Sequence, residues 1–390
     1  MIKQLHKHIA LWAGLFLLVA LLTGCAKESS VVDTPEVKLP TQPAKTPIAL
    51  SAYTAQQTAG TRADEGLLAE GGIPNGKSIG VYAYYHQNSN WLTDTSTQPD
   101  FMTNQQATHN KLADAYIYSP LKYWPNTPSD KLSFIGYYPF TDGAASGETS
   151  KTSTGITNIT LVEGDDGRVL PTFDFTVKDA EADQVDFLVS DLLVNQTKPA
   201  IHESIRLLFK HATSKISFRI VIADDIKADV ATFSVSSIGL TNIYTKGTLT
   251  TEYKNSETLL TWDNQSSATN YVCSPEKSYL LLPQDLDDAA QLTMSYSITF
   301  KSGGTVFHYD ANGKLVEDAT YQYSNPTASV QLNKLMVTGS EDELTRWEAN
   351  HHYIYTICLT AKRIEFTGQV VEWGEEVPWD DILVNQIGGS

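Results

Sequence analysis

Gly71-Gly72-Ile73-Pro74-Asn75-Gly76-Lys77-Ser78 satisfies the literal G-x-x-x-x-G-K-S pattern of a phosphate-binding loop. That chemistry needs a strand before the loop and a helix after it, because backbone amides at a helix N-terminus hold the phosphates. The residues after the loop, Ile79-Gly80-Val81-Tyr82-Ala83-Tyr84-Tyr85, have strand composition and period instead. The expected structure is a turn entering an antiparallel strand. His351 and His352 are adjacent, so in a strand they face opposite ways and cannot share one metal ion. Gly164-Asp165-Asp166-Gly167 and Asp285-Leu286-Asp287-Asp288 offer carboxylates but lack the ligand order of a calcium loop. No H-E-x-x-H, C-x-x-C or G-x-S-x-G occurs, and nothing near Cys273 or Cys358 marks a reactive thiol; the two either pair with each other or simply pack. No catalytic, cofactor-binding or metal-binding residue is expected, and no cofactor. Acidic pairs are numerous, but a glycosidase pair is defined by separation and cannot be assigned from spacing.

Cys25 is the one residue whose surroundings specify a modification. Lys3 and Lys7 form a basic start, Ile9 to Leu22 is uninterrupted apolar, and Leu22-Thr23-Gly24-Cys25 closes the run with small residues before a cysteine. Fourteen apolar residues are short for a bilayer span. The pattern resembles the lipobox of bacterial lipoproteins, which implies cleavage before Cys25 and acylation there. Each buried methylene contributes roughly 0.8 kcal/mol, so several acyl chains would anchor the chain to a membrane without a spanning helix. Residues 1–24 are read as signal peptide and 25–47 as a tether, since Pro35, Pro40, Pro43 and Pro47 sit among polar residues that cannot build a core.

The elements beyond the tether read as strands. The 390 residues include 28 Lys+Arg and 45 Asp+Glu, a net charge of −17 that disfavours nucleic acid as a partner. Aromatics reach 10% and charged residues only 19%, which excludes a coiled coil and a disordered chain. Period-two alternation recurs between turn residues: Ile79, Val81, Ala83 and Tyr85; Ile205, Leu207 and Phe209; Leu292, Met294, Tyr296, Ile298 and Phe300; Tyr353, Tyr355, Ile357 and Leu359. Such alternation predicts antiparallel sheets with one buried face. The chain is expected to be all-β, with a sandwich domain over 48–203, opened by a short strand over 48–53, and a second over 204–390. Trp91, Trp124, Trp262, Trp347, Trp373 and Trp379 are expected to pack between sheets rather than form sugar-stacking platforms.

Ordered landmarks along the chain carry a family resemblance. They are the lipobox; Ile48-Ala49-Leu50-Ser51-Ala52 followed by Thr61-Arg62-Ala63; Ser78-Ile79-Gly80-Val81-Tyr82; Phe134-Ile135-Gly136-Tyr137-Tyr138-Pro139; Leu207-Leu208-Phe209-Lys210-His211-Ala212; and Tyr353-Ile354-Tyr355-Thr356-Ile357 before Val371-Glu372-Trp373. In these the chain resembles the fimbrillin-like lipoproteins of Bacteroidetes. The resemblance implies two transthyretin-like antiparallel β-sandwich domains and an outer-membrane, surface-exposed subunit of a fimbria, shaft or accessory, that contributes to adhesion. It implies partners in other fimbrial subunits, in the membrane through the lipid anchor, and in an Arg-specific protease that cuts between Arg62 and Ala63. Loss of the first strand would open a groove for a strand of the next subunit. The candidate donor is residues 381–387, with Ile382, Leu383, Val384 and Ile387 as its apolar positions. A surface glycan-binding lipoprotein of a polysaccharide-uptake system is the alternative.

Overall fold

The computed structural model describes residues 45–54, 72–94, 97–113, 115–142, 154–199, 203–224, 230–275, 277–300, 307–309, 315–317, 327–360 and 364–373. Among the described residues the named elements are strands and two short 3-10 turns, Glu181–Asp183 and Leu332–Lys334. In chain order the first strands are β1 (Ala49–Thr54), β2 (Ser78–His86), β3 (Met102–Asn110), β4 (Ala115–Ile117), β5 (Lys131–Tyr138), β6 (Ile156–Glu163), β7 (Val169–Thr176), β8 (Leu188–Ser190), β9 (Leu193–Gln196) and β10 (Ser204–His211). The later strands are β11 (Ser214–Ile222), β12 (Val230–Lys254), β13 (Glu257–Cys273), β14 (Ser278–Leu281), β15 (Gln284–Asp285), β16 (Gln291–Phe300), β17 (Phe307–Tyr309), β18 (Leu315–Glu317), β19 (Thr327–Gln331), β20 (Arg346–Trp347), β21 (His351–Leu359) and β22 (Ile364–Glu372). The chain is all-β.

Three sheets carry the architecture. The first runs β1-β10-β8-β5-β2-β3-β4, with β9 continuing the edge of β5 beyond β8. The second runs β19-β16-β12-β7-β6, with β13 on the other side of β12, and the third runs β14-β11-β21-β22. β12 is the spine of the second sheet. Its 25 residues ladder with β13 along one edge and with β16 and then β7 along the other. The β12–β13 hairpin turns on Asn255 and Ser256, both at positive φ (53° and 67°), the geometry a two-residue type I′ turn requires and Asn tolerates. The tip of this hairpin reaches the first sheet. Thr258 Oγ1 accepts the Leu192 amide at 2.7 Å, and the Tyr253 ring meets Trp91 edge-on at 6.1 Å.

The first sheet separates two apolar cores, and this departs from the one-buried-face expectation. Along β2, Ile79, Val81 and Ala83 enter one core while Tyr82 and Tyr84 enter the other. Along β5, Leu132, Phe134 and Tyr138 divide in the same way from Ile135 and Tyr137. The second core also takes Phe173 and Phe175 of β7, Leu249 of β12 and Tyr355 of β21, so the outer face of the first sheet is covered by protein rather than water. Gly80 makes room for the ring of its partner on β5, since a Cβ there would stand 2.1 Å from a ring carbon of Tyr137. β10 keeps the expected alternation, with Ile205, Leu207 and Phe209 buried and Arg206 and Leu208 exposed.

The strand that begins at Ser204 stays in the first sheet, laddered to β1 and β8, and the change of sheet comes at β11. β6 and β7, which precede residue 203, lie in the second sheet through β12.

Candidate functional site

β1 is held unlike its neighbours. It pairs with β10 in parallel, Ala49 opposite Ser204 through Thr54 opposite Phe209, whereas the other described ladders of that sheet are antiparallel. Its lead-in closes the opposite side: the Ile48 amide donates to Lys122 O at 3.0 Å, the Trp124 amide donates to Thr46 O at 2.9 Å, and Tyr118 Oη donates to Ile48 O at 2.7 Å. The segment that enters and forms β1 therefore plugs a seam between β10 and residues 122–124. Ile48 and Leu50 point into the core with Leu207, Phe209 and Phe134, at 1% and 0% exposure. Burying these two side chains contributes about 1.5–3 kcal/mol each. On the outer face, Ser51 and Ser204 share a hydrogen bond at 2.9 Å, and the Arg206 guanidinium lies 4.8 Å from the centroid of the Tyr53 ring.

Two other cations lie along the same seam. Lys45 Nζ stands 5.8 Å from the Tyr123 ring centroid and Lys122 Nζ 5.5 Å from that of Phe101. This rim comes from residues 45, 122 and 206, three segments far apart in sequence, and no local pattern announces it.

Arg62 and Ala63, Cys25, and the donor candidates Ile382, Leu383, Val384 and Ile387 lie outside the described residues. The described chain leaves β1 at Thr54 and resumes at Gly72, so Arg62 belongs to the connection between β1 and the turn into β2. That turn is what the phosphate-loop pattern becomes. The Lys77 amide donates to Pro74 O at 3.1 Å, Gly76 takes φ +80°, as the third residue of a type II turn must, and β2 begins at Ser78. The Gly76 amide is spent on His109 O, at 2.9 Å.

The other residues singled out in the sequence also find structural partners. His352 is buried against Ser217, Nε2 to Oγ 2.7 Å, and burial, aided by the charge of Lys215, pushes its pKa down to about 3. His351 Nδ1 lies 2.9 Å from Ala349 O. Cys273 and Cys358 are both buried and form no disulfide with each other, and burial pushes the Cys273 thiol far up, away from reactivity. Trp91, Trp124, Trp347 and Trp373 are buried, and Trp262 donates Nε1–H to Ala212 O at 2.8 Å. Trp379 lies outside the described residues. Among the described residues no group of three His, Cys, Asp or Glu side chains is placed to hold a metal ion.

Two polar clusters were not visible in the sequence. Ser133 Oγ, His86 and Asp94 stand in the order of a charge relay, with His86 Nε2 2.9 Å from Ser133 Oγ and Nδ1 2.5 Å from Asp94 Oδ2. A nucleophile must meet its substrate, yet Ser133 and His86 are both at 0% exposure and Ser133 Oγ already accepts the Asn195 amide at 3.1 Å. The cluster ties the loop after β2 to β5 and β9. The second cluster sits where the sheets meet. His211 Nδ1 lies 2.9 and 2.8 Å from the two oxygens of Asp186, a carboxyl at 0% exposure, and the imidazole stacks on Trp373 at 3.8 Å. Removing one partner of a buried pair strands the other. His211→Ala is therefore expected to cost about 3 kcal/mol in urea unfolding, and adding Asp186→Ala should recover part of that loss. A double variant as unstable as the sum of the two single variants would show that the pair is not coupled.

The geometry thus defines an all-β protein whose first strand, paired in parallel with β10, closes the edge of its sheet. This fold is shared with a fimbrial protein from Bacteroides vulgatus, at 17% identity and a TM-score of 0.52, over 84% of this chain and 99% of that one. Similarity extends to a candidate cell adhesion protein from Bacteroides uniformis (16% identity, TM-score 0.47, 85% of this chain and 100% of that one). A fimbrilin from Porphyromonas gingivalis matches at 10% identity and a TM-score of 0.37, over 84% and 98% of the two chains. No curated protein matches. The model of the fimbrillin-like family matches residues 61–373, and the chain belongs to that family.

Proposed function

We propose that this protein is a structural subunit of a cell-surface fimbria, contributing to adhesion, and that it assembles by exchange of its first strand. The observation that carries the reading is the position of β1. It fills a seam between two sets of backbone partners, buries Ile48 and Leu50 in the core, and is followed by the connection that contains Arg62. One cut in that connection separates β1 covalently from everything it packs on. The open seam then presents unpaired amides and carbonyls above apolar side chains, which is a template for another strand. A head-to-tail contact repeated between subunits produces an open filament. In this account Cys25 carries the lipid that brings the precursor to the outer membrane, an Arg-specific protease cuts between Arg62 and Ala63, and Ile382, Leu383, Val384 and Ile387 of the next subunit fill the seam. The two-sandwich layout belongs to the same proposal. The glycan-binding alternative calls for exposed coplanar aromatics, and the buried positions of Trp91, Trp124, Trp347 and Trp373 give it no support.

Arg62→Ala provides the test. Treated with an Arg-specific protease, the unsubstituted precursor should be cut at Arg62 and yield a ladder of polymer, while the variant stays monomeric and folded. A variant that polymerises as fast as the parent would overturn the reading.

A further inference from the structure

The charges around the seam do not suit the strand that occupies it. The flanking cations are Arg206, on β10, and Lys122, whose carbonyl pairs with Ile48. The residues that form the plug, 45–54, add a third positive charge at Lys45 and no negative one. Asp191 is paired with Lys210 at 2.8 Å, and Asp100, next to Phe101, accepts the Tyr85 amide at 3.4 Å. The carboxyl-terminal residues 374–390 have the opposite character: Glu375, Glu376, Asp380 and Asp381 precede Ile382, and no Lys or Arg comes after them. When β1 leaves, Lys45 leaves with it and Arg206 loses the ring of Tyr53, so Lys122 and Arg206 border a seam that no longer holds a cation of its own.

We propose that Lys122 and Arg206 form an electrostatic docking site for the acidic segment 375–381 of a second copy of this chain, which draws in the adjoining strand and makes exchange directional. The inference rests on the strand-exchange reading above and adds to it a recognition element that the departing strand lacks. It also predicts the sign of the salt effect. Two chains of like net charge repel, so on net charge alone added salt would speed association; a local attraction at the seam makes salt slow it.

The test monitors polymerisation of the Arg62-cut chain at about 20 mM and 500 mM salt. Steering changes association rates by roughly 10-fold or more. The parent should therefore assemble about 10-fold more slowly at high salt, and a chain carrying Glu375→Lys, Glu376→Lys, Asp380→Lys and Asp381→Lys should be slowed similarly at low salt. Mixing that chain with one carrying Lys122→Glu and Arg206→Glu should restore the rate between the two, and unchanged urea unfolding of each variant guards against misfolding. Equal rates for parent and reversed tail, or acceleration by salt, would overturn this inference and leave strand exchange standing. Deleting residues 382–390 separates the two ideas: polymer that still formed without them would overturn both.

Discussion

Truncating Ile48 and Leu50 together to alanine should lower the stability of the uncut chain by more than about 2 but less than about 10 kcal/mol, since each large-to-alanine change at a fully buried site costs about 2–5 kcal/mol. The loss has a ceiling. Once it exceeds the free energy that docks β1, the strand leaves and further truncation costs nothing, so the double variant should cost less than the sum of the single ones. The assembled polymer should be indifferent, because after cleavage at Arg62 neither residue remains in it. Urea unfolding of the uncut chain and dissociation of the polymer, measured side by side, check both halves. A loss below about 1 kcal/mol in the uncut chain, or an equal loss in the polymer, would show that β1 is not the removable closure of the core.

The strand pattern was legible because side chains that alternate in sequence alternate in space, and β10 shows it plainly. The strand candidate at 48–53 coincides with β1 (Ala49–Thr54), and the false phosphate loop was recognisable from the strand-forming residues after it. Burial on both faces of β2 and β5 was harder to read. Their second face is tyrosine-rich, Tyr82, Tyr84 and Tyr137, and a tyrosine reads equally well as solvent-facing or as buried with its hydroxyl satisfied. Here the hydroxyls are satisfied at a distance: Tyr84 Oη donates to Val169 O at 2.8 Å and Tyr137 Oη donates to Asn104 Oδ1 at 2.6 Å.

Sheet membership was illegible for a related reason. Which strand ladders with β12 is decided by where β7 emerges after two other sheet strands, and spacing along the chain carries no trace of it. The same holds for Asp186 with His211 and for His86 with Ser133, pairs 25 and 47 residues apart that meet only across ladders. At the candidate site, the apolar positions of β1 could be read from the sequence. Its parallel register, its closure onto residues 122–124 and the cations beside it needed the fold.

The most direct measurement of the central claim locks β1 in place. Ala49 and Ser204 are direct partners across the parallel β1–β10 ladder, the cross-strand spacing at which two cysteines can be bridged. In a Cys25→Ser background, Ala49→Cys with Ser204→Cys should form a bond across the β1–β10 ladder, while buried Cys273 and Cys358 stay apart from it. Cut at Arg62 under oxidising conditions, this chain should remain monomeric; reduction of the same sample should release β1 and produce the polymer ladder. A ladder of equal extent in the oxidised, cut sample would contradict assembly by loss of the first strand.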